Sequence, residues 1–355
     1  MLKLRLPPQQ KTLRFSGGNG ADSCFFWRNA MRCLACDFGG SSVKYALVDH
    51  DANLTDSGSV PAPLSSKEEF VGTISHLYEH FRDRVDGIAI SLPGLLDPRT
   101  GVHYGSGAYS SILKGENIVH LVTERCGVRV SVENDGKCGA LAEAWCGSLS
   151  NVKTGVVLVL GTAIGGGVIV NGDVLHGRSF SAGEFSFSVT GGDGYSMLNE
   201  AWMNVGMIGL TYKVCKYKNL DFTIQDASPM LLKYDRIFGS RFPGPTGSPI
   251  KIKADGKQIF RWLDANDPDA WRAYREFLHS LTILIHNIQI CIAPERISLG
   301  GGLSREKRLL PDLLAEQQTF YKAGGIPESL RSELTTSTFL GECNLIGATY
   351  RYMKT

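Results

Sequence analysis

The chain has 355 residues, 43% of them hydrophobic and 20% charged, with 37 Lys and Arg against 35 Asp and Glu for a formal net charge of +2. So even a balance argues against a general nucleic-acid or membrane-surface binder, and no window approaches the roughly 18 consecutive apolar residues of a spanning helix. Nine cysteines, an odd number, in a chain long enough to fold without staples point to a reducing compartment, so a cytoplasmic protein is expected.

Residues 1–30 show no hydrophobic period, and their longest apolar run, Cys24–Trp27, is too short for a secretory signal. A disordered leader is expected, with a short basic targeting arm as the alternative. The first 31 residues hold five basic groups and one acid, so the remainder is mildly acidic. Glycine, with 41 residues, makes up about 12% of the chain against a usual figure of roughly 7% and follows no collagen period.

From Arg32 the order is informative. Cys33–Cys36 leads into Asp37-Phe-Gly-Gly-Ser-Ser, and Val43–Asp49 reads as the returning strand of a hairpin. About 120 residues later the unit recurs: Val156–Leu160, then Gly161-Thr-Ala-Ile-Gly-Gly-Gly167, then Val168–Val170. Such a duplication predicts two similar halves, each offering a glycine-lined turn to one ligand. Val85–Pro93 and Val128–Val132 read as further strands, and Lys137–Trp145 as a helix. Asp269–Ile292 is a long amphipathic helix, Arg296–Leu299 a strand ending in Gly300–Gly302, and Cys343–Tyr352 the last helix. The Pro/Gly-rich stretch of about 234–256 has no period of its own and reads as an insertion, with Asp255 a candidate cap for the helix after it.

Glycines in a strand-to-strand turn let amide N–H groups meet phosphate oxygens, and an acid at a strand end can hold magnesium through water. Either turn alone is more often just a turn. Two of them, with Asp37 beside the first and Gly301–Gly302 after a third strand, predict a nucleotide cleft. Neither is a Walker loop or a dinucleotide fingerprint. In Glu133-Asn134-Asp135, Asn134 or Asp135 is a helix cap, or Asp135 is a general base at a strand end. Glu184 and Glu200 are loop carboxylates that become informative as acceptors for sugar hydroxyls. Cys33 and Cys36 lie three apart on one strand and face opposite ways, and no zinc site is expected. His76 and His80 read as a solvated helix face.

These motifs, in this order, resemble the ROK family of sugar kinases and regulators within the actin-like ATPase superfamily, over about Arg32 to Met353. Asp37-x-Gly-Gly-Ser-x-x-Lys44 resembles its first phosphate motif, Ser91-Leu-Pro-Gly94 with Asp97-Pro-x-Thr-Gly101 its sugar-domain loop, and Glu133–Glu143 its catalytic segment. Gly161–Gly167 is similar to the second phosphate motif, Gly183-Glu184 to the sugar-binding turn, Leu299–Ser304 to the adenosine motif and Gly341–Ala348 to the start of the closing helix. The resemblance implies an α/β, two-domain actin-like (ribonuclease H-like) ATPase fold with a nucleotide and sugar cleft between the domains. Residues 32–145 with 344–355 would form the smaller N-terminal domain and 146–343 the larger one. It also implies ATP with magnesium, Asp37 being in the metal's water shell, and a small-molecule sugar as partner, without nucleic acid or membrane. A homodimer is the expected assembly.

By the same resemblance Asp135 is the catalytic base, and Asn134, Asp135, Glu184, Glu200, Ser106 and Gly107 bind the sugar. Gly39, Gly40, Ser41, Lys44, Gly161, Thr162, Gly165, Gly166, Gly301 and Gly302 bind ATP. The chain departs from the family in three places. Phe187 stands where most members have a His, no cysteines follow for a zinc loop, and Gly105–Tyr109 replaces an Ala-Pro-Asn loop. These departures most resemble the β-glucoside kinases and imply phosphorylation of the 6-hydroxyl of a β-glucoside such as cellobiose. The alternatives are a glucose or N-acetylhexosamine kinase and, outside enzymes, a sugar-sensing regulator lacking its DNA-binding domain. Ala163, where the family usually has Gly, is expected to crowd the phosphate turn.

Overall fold

The first expected hairpin forms in the computed structural model, which describes residues 31–192, 199–220, 256–339 and 341–355. Strand β1 (Arg32–Phe38) pairs antiparallel with β2 (Ser42–Asp49), which pairs with β3 (Leu54–Pro61). On its other edge β1 runs parallel to β4 (Gly87–Leu92), whose six residues are all buried, as a strand covered on both faces must be. A two-stranded hairpin, β5 (Leu95–Leu96) and β6 (His103–Gly105), follows, and β7 (Arg129–Asn134) closes the sheet in the order β3-β2-β1-β4-β7.

Four helices belong to this part of the chain: α1 (Lys67–Phe81), α2 (Ser110–Leu113), α3 (Ile118–Cys126) and α4 (Asp135–Cys146). Ser66 caps α1 by accepting from the Glu69 amide, and His76 and His80 lie on its exposed face as expected. Cys36 packs with the α1 side of the sheet and Cys33 with the opposite side, so the pair does face opposite ways. Helix α4 starts two residues before the expected Lys137. Asn134, the last residue of β7, caps it by accepting from the Lys137 amide, which draws Asp135 and Gly136 into the first turn.

After Ser150 the strand plan repeats. Strand β8 (Thr154–Leu160) pairs antiparallel with β9 (Ile164–Val170). The segment Gly172–Ala182, which opens with the short strand β10 (Asp173–Val174), groups with the first part of the chain. Then come α5 (Ala201–Asn204), α6 (Met207–Tyr217), α7 (Gly256–Asp264) and α8 (Pro268–Ile292). Asp267 caps α8 ahead of Pro268, where a missing N–H costs nothing. The expected apolar face of α8 is buried at Tyr274, Leu278, Leu281, Leu284, Ile285 and Ile288. Strand β11 (Arg296–Gly300), α9 (Leu309–Gly324) and β12 (Glu333–Thr336) complete a sheet in which β9-β8-β11-β12 are neighbours, β8 and β11 running parallel.

The last helix, α10 (Cys343–Lys354), returns to the first sheet. Gly347 makes that possible, because a Cβ there would overlap the Cys138 carbonyl of α4. The chain thus divides into two compact units. One holds the described residues to Ser150, Gly172–Ala182 and Gly341–Thr355, and the other Asn151–Asn171 and the described residues from Gly183. The leader and most of the 234–256 insertion, Asp255 included, lie outside the described residues. No helix among the described residues is long and apolar enough to cross a membrane.

Candidate active site

In the first unit, β1, β4 and β7 are parallel, and their carboxyl ends carry Asp37, Ser91 and Asn134. Ligand sites of open α/β sheets lie at such ends. Asp37 sits in register with Ser91 and with Lys44 of β2. Its Oδ1 accepts from Ser91 Oγ at 2.8 Å and from Asn344 Nδ2, in the first turn of α10, at 3.0 Å. Burial raises the Asp37 pKa above its ordinary value, against the lowering effect of these two bonds and of Lys44. Beside it burial pushes the Cys343 thiol up to about 12, so that group adds no charge. A carboxylate held at one oxygen by neutral donors is a suitable outer partner for a hydrated magnesium ion. Gly40 is open on all sides, and Ser41 and Lys44 are exposed. Gly39 closes the turn through its amide to Ser42 and is pinned by the buried Tyr109 hydroxyl.

The expected catalytic segment is built at the β7–α4 junction. Asn134 accepts from the Lys137 amide through Oδ1 and donates from Nδ2 to the Gly94 carbonyl at 3.1 Å. The residue is therefore a cap and a clamp as well as a candidate sugar contact, and one amide hydrogen is already committed. Asp135 lies in the first turn of α4, where the helix N-terminus favours negative charge, and is only partly buried. Its Oδ1 accepts from the Gly136 amide at 2.9 Å.

Gly94 brings in the loop expected to bind the sugar. A Cβ on it would lie 2.6 Å from His103 Nε2 and from the Ser106 carbonyl, and one on Gly107 would meet Pro93 at 3.0 Å. The turns 93–94 and 105–107 are thus stacked, with Gly94, Gly105, Ser106 and Gly107 all at positive φ. His103, fully buried, staples them. Its Nε2 lies 3.2 Å from the Pro93 carbonyl, and its Nδ1 accepts from the Gly105 amide at 3.2 Å. Burial lowers its pKa. Ser106 and Gly107 thereby adjoin Pro93 and Gly94, and Gly94 is held by Asn134.

In the second unit the glycine turns after β8 and β11 adjoin, Gly301 lying against the Leu160 backbone. Gly161 closes its turn onto Ala163, while Met207 and Ile208 of α6 donate their amides to the Gly161 and Thr162 carbonyls. Ala163 packs against Gly206, where a Cβ would come within 2.7 Å of it. Thr162 is exposed and Gly165 is open, whereas Gly166 is fixed by the Val157 carbonyl and Phe185. Gly301, at φ 84°, has room for no Cβ, which would fall 2.5 Å from the Leu160 carbonyl. Gly302 next to it is open. Glu184 follows Gly183, a positive-φ residue resting on Gly167 of β9. Glu200, buried, holds Trp202 Nε1 at 3.0 Å through Oε2. Phe187, at the position where a His was expected of most members, is 55% exposed.

Sequence reasoning missed His103, Lys137, His176, Phe180 and Arg351. His103 and His176 stand singly among apolar residues and Lys137 on a helix of no strong amphipathicity, so nothing local set them apart. The segment Glu133–Asp135 was the available signal, because a Glu with no exposure must have a partner.

Comparison with known proteins gives the family and the fold. The ROK family matches residues 33–189 and 249–352. A β-glucoside kinase of Listeria innocua is 26% identical over 324 residues, 91% of this chain and 98% of its own. Among solved structures, a ROK family protein of Streptococcus pneumoniae in complex with sucrose superposes with a TM-score of 0.73 at 22% identity, over 91% of this chain and 98% of that one. A ROK family glucokinase of Streptomyces griseus in complex with glucose and AMPPNP gives a TM-score of 0.65 at 20% identity, over 89% and 97%. The fold is the actin-like ATPase fold of these structures.

Proposed function

The chain belongs to the ROK family and is a sugar phosphotransferase, and from that premise we propose that it transfers the γ-phosphoryl group of ATP to the 6-hydroxyl of a β-glucoside such as cellobiose. The observation that carries the substrate reading is Phe187, an exposed phenyl ring three residues after Gly183-Glu184. An imidazole there would donate to the sugar near its anomeric carbon. A phenyl ring donates nothing there, which leaves the anomeric side without a polar contact where a second ring must sit. Similarity to a β-glucoside kinase along nearly its whole length supports the same reading.

Phosphoryl transfer from ATP asks a protein mainly for positioning and charge neutralisation. In this reading Asp135 accepts the hydroxyl proton as the oxygen attacks, and the α4 N-terminus holds the carboxylate ionised. Asn134, already clamped, presents its remaining amide hydrogen, with the 105–107 loop, to the pyranose. Glu184 and Glu200 accept from sugar hydroxyls, Trp202 fixing one oxygen of Glu200. The turns at Gly39–Ser41 and Gly161–Gly166, with Lys44, hold phosphates, and Gly301–Gly302 admit the nucleotide. Asp37, through water, is the residue that would hold magnesium, and when bound magnesium neutralises charge on the phosphate oxygens.

The test is ADP release with cellobiose, gentiobiose, salicin, glucose and N-acetylmannosamine, with the phosphorylated position read by phosphorus–proton correlation. Turnover of the β-glucosides to 6-phosphates is expected. Activity on glucose or N-acetylmannosamine alone would overturn the substrate reading.

A further inference from the structure

An exposed aromatic ring stands beside the catalytic segment with one face covered and the other open. Tyr104 of β6 is 51% exposed, and its ring stacks on Phe180 at 5.7 Å between centroids and 7° between planes. Phe180 is itself nearly buried and holds a positive φ of 60°. That backbone conformation is rare for a bulky residue and persists only where surrounding contacts enforce it. Arg99, anchored to Asp97 at 3.1 Å, places its guanidinium 5.6 Å from the Phe180 ring centre.

The stack is tied to the catalytic segment from both sides. On one side Asn134 donates to Gly94, and His103 joins Pro93 to Gly105, the residues either side of this short path flanking Tyr104. On the other, the buried Lys137 donates from Nζ to the Phe180 carbonyl at 3.1 Å, and its own amide donates to Asn134 Oδ1. Contacts therefore run from Asn134 through the sugar loop to Tyr104, across the stack to Phe180, and back through Lys137 to Asn134. The closed circuit includes Asn134, the residue before Asp135, and holds the Tyr104 ring against Phe180.

We propose that Tyr104, backed by Phe180, is the platform for the second ring of the substrate, the aglycone of a β-glucoside, whether a pyranose or an aryl group. This inference rests on the β-glucoside reading above. Both kinds of ring present a flat, largely apolar C–H or π face, which an exposed tyrosine ring covers at little entropic cost because the stack has already ordered it. Structural support of the loop does not require the outer face of Tyr104, since the loop is already stapled by His103 and Gly94. That face is free to serve the ligand.

The experiment compares KM for phenyl β-glucoside, cellobiose and methyl β-glucoside in the full-length wild type, Tyr104→Ala and Tyr104→Phe. Relative to methyl β-glucoside, Tyr104→Ala should raise KM for the two-ring substrates about five- to tenfold, the scale of one aromatic contact. Tyr104→Phe should keep the wild-type ratio. An equal change on all three substrates, or none, overturns the platform. A wild type that phosphorylates glucose but none of the three β-glucosides overturns the β-glucoside reading, and the platform with it. One that takes methyl β-glucoside and rejects both two-ring substrates overturns the platform alone. A wild type that accepts them with an unchanged ratio in Tyr104→Ala overturns the platform alone.

Discussion

His176 Nε2 lies 2.8 Å from Oε2 of Glu133, a carboxylate with no exposure to solvent. The other oxygen of Glu133 accepts from the Asn134 amide at 2.9 Å, and Arg351 Nε of α10 stands 3.7 Å from Oε2. Two segments far from it in sequence therefore converge on the residue that precedes the cap and the proposed base. A buried carboxylate is tolerated only when paired, and removing one partner leaves the charge uncompensated.

Replacing His176 by Ala should consequently destabilise the first unit by about 1–3 kcal/mol, the cost of stranding a buried polar group. His176→Gln, which can still donate to Oε2, should recover part of the loss. Thermal denaturation of the two variants checks this, and an unchanged midpoint for His176→Ala would show that Arg351 alone suffices.

Asp135→Asn removes the proposed proton acceptor while leaving the helix start intact, because the cap is Asn134. Turnover should fall by about two orders of magnitude or more, with the dissociation constant for sugar nearly unchanged. Calorimetric sugar binding beside steady-state rates separates the two quantities, and near-wild-type turnover would remove Asp135 from the mechanism.

The adjacent glycines of the third turn should respond in opposite ways. Gly301→Ala forces a Cβ to within 2.5 Å of the Leu160 carbonyl at a positive φ, so the protein should lose about 1–3 kcal/mol of stability. Gly302→Ala meets nothing within 4 Å and should fold normally, with any effect appearing in KM for ATP. Melting curves and ATP titrations of the pair distinguish backbone strain from contact with the nucleotide.

His103 supplies a pH dependence whose sign follows from its burial. Both ring nitrogens are engaged, one facing the Pro93 carbonyl and the other accepting from Gly105, so the native ring is neutral. Its native pKa lies below the ordinary 6.5. Above 6.5 neither folded nor unfolded chains bind the proton. As pH falls below that value the unfolded chain binds it first, and the stability associated with His103 is progressively lost towards the lower native pKa. The drop in thermal midpoint between pH 7.5 and 5.5 should therefore be smaller in His103→Asn than in the wild type. An equal drop would exclude His103 as a contributor.

Much of this protein is legible in local sequence. Alternation and turn chemistry locate β1–β2 and β8–β9 and expose the duplicated plan, and the apolar face of α8 is buried from Tyr274 to Ile288, with Trp271 partly buried. Asp37, Asp135 and the glycine turns could be singled out because their chemistry is written in contiguous residues, with spacing set by the strand-turn geometry that holds them. Tertiary structure alone decided which isolated side chains complete the first-unit site. Glu133 and His176 are 43 residues apart, Asn134 and Gly94 are 40, and Asn344 reaches Asp37 across 307. No local period encodes such pairings. They exist because parallel strands bring distant segments to one sheet end, where burial obliges every polar group to find a partner.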